Sequence, residues 1–326
     1  MSTLPASGLQ PADVLLYRGT SIFGKLIIFW DRSHYSHAGL NLGRLIQGQP
    51  AVGEALVKEG IIARGLDVSI ADSSEVQARR LKAGLPDPAR VKVLAVANKY
   101  LDEHNRYAIE NIFMLVILCL VRKIHVNHVL DALLRKIFDS MASLLVDPLH
   151  GGKQPMICSE FVFRCYQEPN LGLLDRPRVV PGVEAGSLLD QLLAQGPMPA
   201  FVGLGLSRDE ARSAMQEPAP GPVDEGQVAV LIQQYLDEAA QPSVKSLALM
   251  EEPFTASVEL QHSVERLAAQ LLRVTAPDRH AEVLSLFLDT SDSSGLLESL
   301  RGYVADFVTP GDLERCPDLV EAGNIK

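Results

Sequence analysis

Three residues of the chain could together cleave an amide or ester bond: Cys158, His37 and Glu54. Cys158 follows a Gly-Gly loop and a proline, and the apolar spacing of SEFVFRCY predicts a helix that begins at the cysteine. An imidazole and a helix N-terminus both lower the pKa of a thiol, which makes it a nucleophile, and we expect this thiol to be exposed at a turn. The backbone N–H of Cys158 could then help to form an oxyanion hole, and the Glu160 carboxylate suits the positive end of the helix. Cys165, two turns further on, is expected to be buried and inert.

A base for this nucleophile has to come from elsewhere in the chain. His37 opens HAGLNL, a predicted strand that would hold its ring rigidly, and Glu54 lies in the next predicted strand, AVGEALV. If the two strands pair side by side, Glu54 can accept a hydrogen bond from Nδ1–H of His37 and orient the ring. Asn41, which faces the same way as His37 on its strand, is the alternative acceptor.

Other polar residues have ordinary interpretations. His34 belongs to the turn before the strand and would at most lie at the edge of the site. His125, His128 and Asp131 share one helical face and could bind zinc, but such triplets are common on solvated helix faces. The sequence has no phosphate-binding loop, dinucleotide fingerprint or H-E-x-x-H motif. We therefore expect neither a metal nor a cofactor.

Short apolar stretches broken by Gly and Pro predict the elements that position these residues. DVLLY, SHAGLNL, AVGEALV, EGIIARGL and VQARRL read as strands of an antiparallel sheet, with FGKLIIFW as a helical turn between the first two. A helix starts at Asp87, and helical spacing continues from Tyr107 to about Leu145. The fold class predicted is α+β, with a sheet packed on helices.

The most apolar run of the chain extends from Ile112 to Val121. It is too short to cross a bilayer, which takes roughly 20 residues, so it predicts a buried or membrane-surface helix. Because this run lies in sequence between base and nucleophile, we expect Phe113, Leu115 and Val116 to line an apolar, substrate-binding wall beside the cleft. Peripheral membrane contact through this helix stays open.

The second half of the chain looks helical. EPAPGPVDEG, residues 217–226, is rich in proline and glycine and predicts a linker. It would separate a catalytic domain, 1–216 with a helical insert at about 107–145, from an all-helical C-terminal module, 227–326. The helices of that module could present a surface to a protein partner.

Composition bounds the function classes. The chain of 326 residues carries a net charge of −10, which argues against a nucleic-acid surface. Its four cysteines form no C-x-x-C pair, which indicates a reducing compartment. The N-terminus lacks the pattern of a secretory signal, so we expect synthesis into the cytoplasm, with signal-independent export left open.

Several motifs resemble the permuted papain-like branch of the NlpC superfamily, which includes the YiiX-like proteins and their relative lecithin:retinol acyltransferase. They are ADVLLYRGTSIFGKLIIFWDRSHYSHAGLNLG, GEALVKEGIIARGL, VQARRL and ICSEFVFRCY. The resemblance covers about residues 12–80 and 150–205, and excludes the helical insert and the region after 217. It implies a permuted papain-like sheet with Cys158 as nucleophile, His37 as base and Glu54 as orienting residue.

The same resemblance implies thiol-dependent hydrolysis or acyl transfer through an acyl-enzyme, without a cofactor. Substrates in the family are amides of cell-wall-type peptides in some branches and lipid acyl esters in others. The apolar insert favours a lipid-like or acylated substrate, and a cell-wall-type peptide amidase is the alternative. A hypothesis of another class is a catalytically idle module that binds a partner protein.

Overall fold

The computed structural model describes residues 3–56, 59–103, 111–124, 128–146, 156–174, 182–195, 225–240, 256–275, 293–304 and 307–326. The chain divides into two compact units. Unit 1 comprises Met1–Met114, Gln154–Pro181 and Phe307–Lys326, and unit 2 comprises Leu115–Lys153 and Gly182–Asp306. Cys158, His37 and Glu54 all belong to unit 1.

Among the described residues, six strands form one antiparallel sheet in unit 1. They are β1 Val14–Gly19, β2 His37–Ile46, β3 Gln49–Leu56, β4 Gly60–Gly65, β5 Ser73–Leu81 and β6 Leu319–Asn324. Their order in the sheet is β4-β3-β2-β1-β5-β6, and each neighbouring pair is antiparallel. The predicted α+β class and the predicted antiparallel sheet are confirmed, and the permuted papain-like type stays a prediction.

The helices fall in both units. In chain order they are α1 Ile22–Asp31, α2 Leu66–Ser69, α3 Asp87–Glu103, α4 Asn111–Val121, α5 His128–Val146, α6 Cys158–Gln167, α7 Leu188–Gln195, α8 Glu225–Ala239, α9 Val258–Thr275, α10 Ser293–Val304 and α11 Pro310–Arg315. The helices predicted at FGKLIIFW, at Asp87 and at Cys158 are therefore present. In unit 2, α5 packs against α8 and α9, and α10 packs against α7 and α9.

The sheet of unit 1 is covered on both faces. One face carries an apolar cluster formed by Leu15, Tyr17, Val52, Leu66, Val76 and Ala78. The opposite face meets α6, which packs on β2 and β3 and contacts Gly53 through Phe161. Because side chains alternate along a strand, β2 and β3 contribute to both layers of the core.

Helix α4 is an interior element. Every side chain from Phe113 to Val121 is buried, which is the first of the two interpretations of this apolar run. Within the described parts of the chain, no helix is both long enough and apolar enough to cross a membrane.

The prediction of an all-helical C-terminal module is wrong for the last residues of the sequence, which include a strand. Leu319–Asn324 form β6, which pairs with β5 in the sheet of unit 1. At the other terminus, Leu4 N–H donates to Asn324 O over 2.7 Å. β6 has only a weak alternation of buried and exposed residues, so the pairing with β5 creates the strand more than its own pattern does.

The predicted domain boundaries at 216 and 227 stay a prediction. Residues 217–224 of the predicted linker lie outside the described residues, and 225 and 226 begin α8. Residues 279–289, RHAEVLSLFLD, whose apolar spacing also predicts a helix, lie outside the described residues as well.

Candidate active site

The structure brings His37 and Glu54 together on neighbouring strands. His37 is the first residue of β2, Glu54 lies in β3, and His37 Nε2 is 3.0 Å from Glu54 Oε1. The Glu54 side chain is fully buried, whereas that of His37 is 16% exposed. A buried carboxylate thus holds the ring of a histidine that solvent can still reach.

The ring nitrogen that Glu54 holds is not the one expected. Nδ1–H is the predicted donor to the carboxylate, but Nε2 faces Glu54. The register of the two strands is the reason: Leu40 pairs with Gly53, so Glu54 lies level with Gly39, two residues along β2 from His37. The proton acceptor in a reaction would therefore be Nδ1.

Arg64 from β4 completes the surroundings of the carboxylate. Its Nε lies 2.5 Å from Glu54 Oε2, so the two oxygens of Glu54 face two different side chains, of which Arg64 is the permanent cation. Burial alone would raise the pKa of Glu54, but the hydrogen bonds and charges of His37 and Arg64 outweigh it and lower that pKa. Glu54 is therefore held as a carboxylate.

Tyr17 from β1 also lies beside His37 and Glu54. Its ring lies 5.1 Å from that of His37, and its hydroxyl is 2.7 Å from Ser69 Oγ. Burial and the Glu54 charge raise the pKa of Tyr17 well above its ordinary value, so it stays a neutral phenol. Gly39 leaves the necessary room, because a Cβ there would lie 3.1 Å from both Glu54 Cγ and Tyr17 Oη.

Sequence reasoning missed Tyr17, Arg64 and Ser69. A signal existed for Arg64, since it is a charged residue inside the apolar strand stretch EGIIARGL. No such signal marks Tyr17 or Ser69, because their roles depend on which strands become neighbours.

Cys158 begins α6 as predicted, but its side chain is fully buried. The expectation of an exposed thiol is therefore wrong for this conformation. The two residues after it fix the first turn of α6 to the C-terminal segment: Ser159 Oγ donates to Val308 O over 2.6 Å, and Val308 N–H donates to Glu160 Oε2 over 3.2 Å. A turn anchored in this way lies in the interior of unit 1 and not at its surface.

The Glu160 carboxylate lies in the first turn of α6, where its charge suits the helix N-terminus. Its second oxygen accepts a hydrogen bond of 2.6 Å from Arg164 Nε. Cys165 is buried, and burial followed by the Glu168 charge raises the pKa of its thiol well above the ordinary value. The predicted burial of Cys165 is therefore confirmed, and its inertness stays a prediction.

The alternation of the strands constrains how Cys158 could reach His37. A Cβ on Gly53 would lie 3.2 Å from Phe161 of α6, whereas Gly39 faces Glu54 on the other side of the sheet. Cys158 therefore has to meet His37 at the end of β2, and not across the middle of the sheet. A separation of about 4 Å between Cys158 Sγ and a His37 ring nitrogen stays a prediction.

Asn41 is wrong as the alternative orienting residue. Its amide nitrogen donates to Gln10 O over 2.8 Å, and its amide oxygen accepts from Gly43 N–H over 3.2 Å. These bonds fix the loop before β1 and the turn within the long strand β2. Asn41 therefore stabilises the local backbone and does not orient His37.

Two further polar candidates, His34 and Asp131, have structural partners. His34 is largely exposed, and its Nδ1 lies 2.5 Å from Glu314 Oε1. Asp131 accepts from Ser257 Oγ over 2.8 Å and pairs with Arg135 over 3.1 Å. His125 lies outside the described residues, and no cluster of metal-ligating side chains is found within the part of the chain that the structure describes.

Phe113, Leu115 and Val116, the predicted substrate wall, are all fully buried. Phe113 packs edge-on against Phe307, with ring centroids 5.2 Å apart. In this conformation none of the three presents a surface to solvent. Their role in substrate binding stays a prediction.

Comparison with known proteins gives one distant neighbour. No family model and no curated protein matches the chain. A solved structure described as "Crystal structure of metalloprotein yiiX from Escherichia coli O157:H7, DUF1105" has a TM-score of 0.31 and 21% sequence identity to it. The likeness covers 51% of this chain and 66% of that chain, just under two thirds of its length. A likeness this distant assigns no family, so membership of the YiiX-like branch, of the NlpC superfamily and of the group around lecithin:retinol acyltransferase stays a prediction.

Proposed function

We propose that the chain is a thiol-dependent hydrolase in which Cys158 is the nucleophile, His37 the acid–base residue and Glu54 its orienting residue. The observation that carries the proposal is the hydrogen bond of 3.0 Å between His37 Nε2 and a fully buried Glu54. A carboxylate held by Arg64 in this way fixes both the ring position and its tautomer, which is what a general base requires.

In the proposed reaction the Cys158 thiolate attacks a carbonyl carbon, and its Sγ–C bond forms as the carbonyl electrons move to oxygen. The backbone N–H of Cys158, at the first position of α6, would help to stabilise that oxyanion. The C–N or C–O bond then breaks, and His37 imidazolium gives its proton to the leaving group. Water, deprotonated by His37, finally cleaves the thioester and restores the thiol–imidazole pair.

An amide of a cell-wall-type peptide is the first choice of substrate, and a lipid-like ester is the second. Only the apolar run of α4 favoured a lipid, and its side chains are fully buried between Phe113 and Leu120. An acyl chain could reach them only by displacing packed side chains, which costs dispersion contacts as well as apolar burial. Hydrolysis and transfer to another acceptor share every step up to the thioester.

The decisive experiment is intact-mass detection of a covalent adduct. The full chain is incubated separately with cell-wall peptides, with a lipid extract and with a small soluble ester, then quenched in acid. We expect an acyl mass on Cys158 that disappears in Cys158→Ala and persists in Cys165→Ala. Absence of any adduct from all three substrates, together with no turnover, would refute the proposal.

Burial of Cys158 favours a second candidate, a catalytically idle module that binds a partner protein. A thiol-reactive probe at neutral pH separates the two. Selective labelling of Cys158 over Cys119, Cys165 and Cys316 supports the hydrolase, because all four thiols are buried and only a site that opens to substrate would admit the probe. Equal labelling, or none, supports the idle module.

A further inference from the structure

We propose that Arg64 is a positioning residue of this site: it holds Glu54 Oε2 so that Oε1 faces His37, and its charge prevents the carboxylate from locking the imidazole in the protonated form. This inference rests on the proposed function, because it assigns a role within the same site. It assigns a fourth residue beyond the nucleophile, base and orienting carboxylate.

The geometry of the carboxylate is the first step. Glu54 is fully buried, and its two oxygens are divided between His37 Nε2 at 3.0 Å and Arg64 Nε at 2.5 Å. A glutamate has three side-chain torsions, and a single hydrogen bond to a partly exposed ring would not fix them. The short bond from Arg64, whose planar guanidinium donates in a fixed direction, determines the plane of the carboxylate.

The charge balance is the second step. A buried carboxylate beside an imidazole favours the imidazolium, because separating the pair would leave a negative charge without compensation in a medium of low dielectric. Arg64 supplies that compensation when His37 is neutral. His37 can therefore lose and regain its proton while Glu54 stays ionised.

The surrounding groups do not take over this task. His37 from β2, Tyr17 from β1 and Arg64 from β4 are the ionisable groups that the described strands bring to Glu54. Tyr17 is held neutral by burial and by the Glu54 charge, so it donates a hydrogen bond but brings no positive charge. The compensating cation is Arg64.

The test is an NMR titration of the His37 ring in the full chain. Arg64→Gln should raise the pKa of His37 by about one unit, a tenfold gain in proton affinity, because Glu54 is no longer neutralised. Arg64→Lys keeps the positive charge and should leave this pKa within a few tenths of the wild-type value. Arg18→Gln on β1 removes the same charge at an exposed position and should leave it unchanged.

An unchanged pKa of His37 in folded Arg64→Gln would overturn the inference. If Arg64→Gln does not fold, Arg64→Lys decides, since a rise of a full unit with the charge retained would overturn it as well. The pH profile of Cys158 alkylation should move to higher pH in Arg64→Gln together with the ring titration. The titration needs no turnover, so a shifted pKa without any acyl adduct would refute the hydrolase and leave the role of Arg64 intact.

Discussion

Two cysteines on α6 offer a matched test of the nucleophile. Cys158 and Cys165 are both fully buried and lie two turns apart. Cys158→Ala should abolish turnover, as should His37→Ala, whereas Cys165→Ala should retain it. Each cysteine change should lower the free energy of unfolding by about 1 kcal/mol, because each removes one packed sulfur atom. Turnover of Cys158→Ala at the wild-type rate would show that the nucleophile is another residue.

Glu54 gives a prediction about acid stability. Its pKa is lowered in the folded protein, so its contribution to stability is complete above the unfolded value of about 4.3 and is lost as the pH falls through the folded value. Glu54→Gln should therefore be less stable than wild type at pH 7, and the gap should narrow as the pH falls below about 4. The same change should leave partial activity, because the base can still act without its orienting charge.

Urea unfolding at several pH values, followed by the fluorescence of Trp30, measures the difference in stability between wild type and Glu54→Gln. Trp30 is the single tryptophan of the chain and lies in unit 1, so its signal reports on the unit that holds Glu54. Glu321→Gln, at an exposed position of β6, is the control and should give a small gap at every pH. A gap for Glu54→Gln that does not depend on pH would contradict the prediction.

At the residue scale, sequence could predict the pairing of His37 with Glu54 but not its full surroundings. The pairing could be predicted because the two residues lie on consecutive strands, which form a hairpin and are close in sequence. The third strand that supplies Arg64 and the strand that supplies Tyr17 are fixed by sheet order, which the strand pattern alone does not determine. The choice of Nε2 over Nδ1 depends on a shift of two residues along the sheet, and it too requires the register.

At the element scale, Gly39 and Gly53 lie on adjacent strands but face opposite sides of the sheet, so substitutions there probe the two faces separately. Gly39→Ala would place a methyl group 2.9 Å from Val52 Cγ1 and 3.1 Å from Glu54 Cγ, whereas Gly53→Ala would crowd Phe161 of α6 at 3.2 Å. We expect each to cost about 1–3 kcal/mol of stability, since the core has to shift to admit it. Only Gly39→Ala should also displace the resonance of the His37 ring.

The control is Gly302→Ala on α10, where a Cβ would meet nothing within 4 Å and helix propensity favours alanine. It should leave stability unchanged or raise it slightly. A ring signal that moves in Gly53→Ala but not in Gly39→Ala would contradict the assignment of the two faces.

The five N-terminal strands could be predicted because each carries its own apolar pattern and is bounded by turn residues. β6 could not, because its burial comes from β5, more than two hundred positions earlier in the chain. The start of α11 has a clearer sequence signal, since Thr309 and Asp312 form a capping box and Pro310 occupies the first turn. That signal predicts a helix start, but not the surface on which the helix lies.

At the scale of the whole molecule, the last twenty residues complete unit 1. Asp31, the final residue of α1, is buried and accepts hydrogen bonds from Thr309 Oγ1 over 3.0 Å and Gly311 N–H over 2.7 Å. Arg315 donates to the Asp31 carbonyl over 3.0 Å. Val308 of the same segment forms hydrogen bonds with Ser159 and Glu160 in the first turn of α6. The C-terminal segment therefore contacts both Asp31 and the turn that carries Cys158.

Asp31→Ala should therefore lower the stability of unit 1 by on the order of 3 kcal/mol, because it leaves buried donors of α11 without an acceptor. Asp67→Ala, at an exposed position in the first turn of α2, should cost only a few tenths of a kcal/mol. Urea unfolding followed by far-UV circular dichroism is the measurement, since Trp30 adjoins the substituted residue. Because release of α11 also frees Val308 from Ser159 and Glu160, labelling of Cys158 by a thiol probe should become faster in Asp31→Ala and stay unchanged in Asp67→Ala. Equal stability and equal labelling rates in the two variants would mean that the C-terminal segment lies on unit 1 without supporting the first turn of α6.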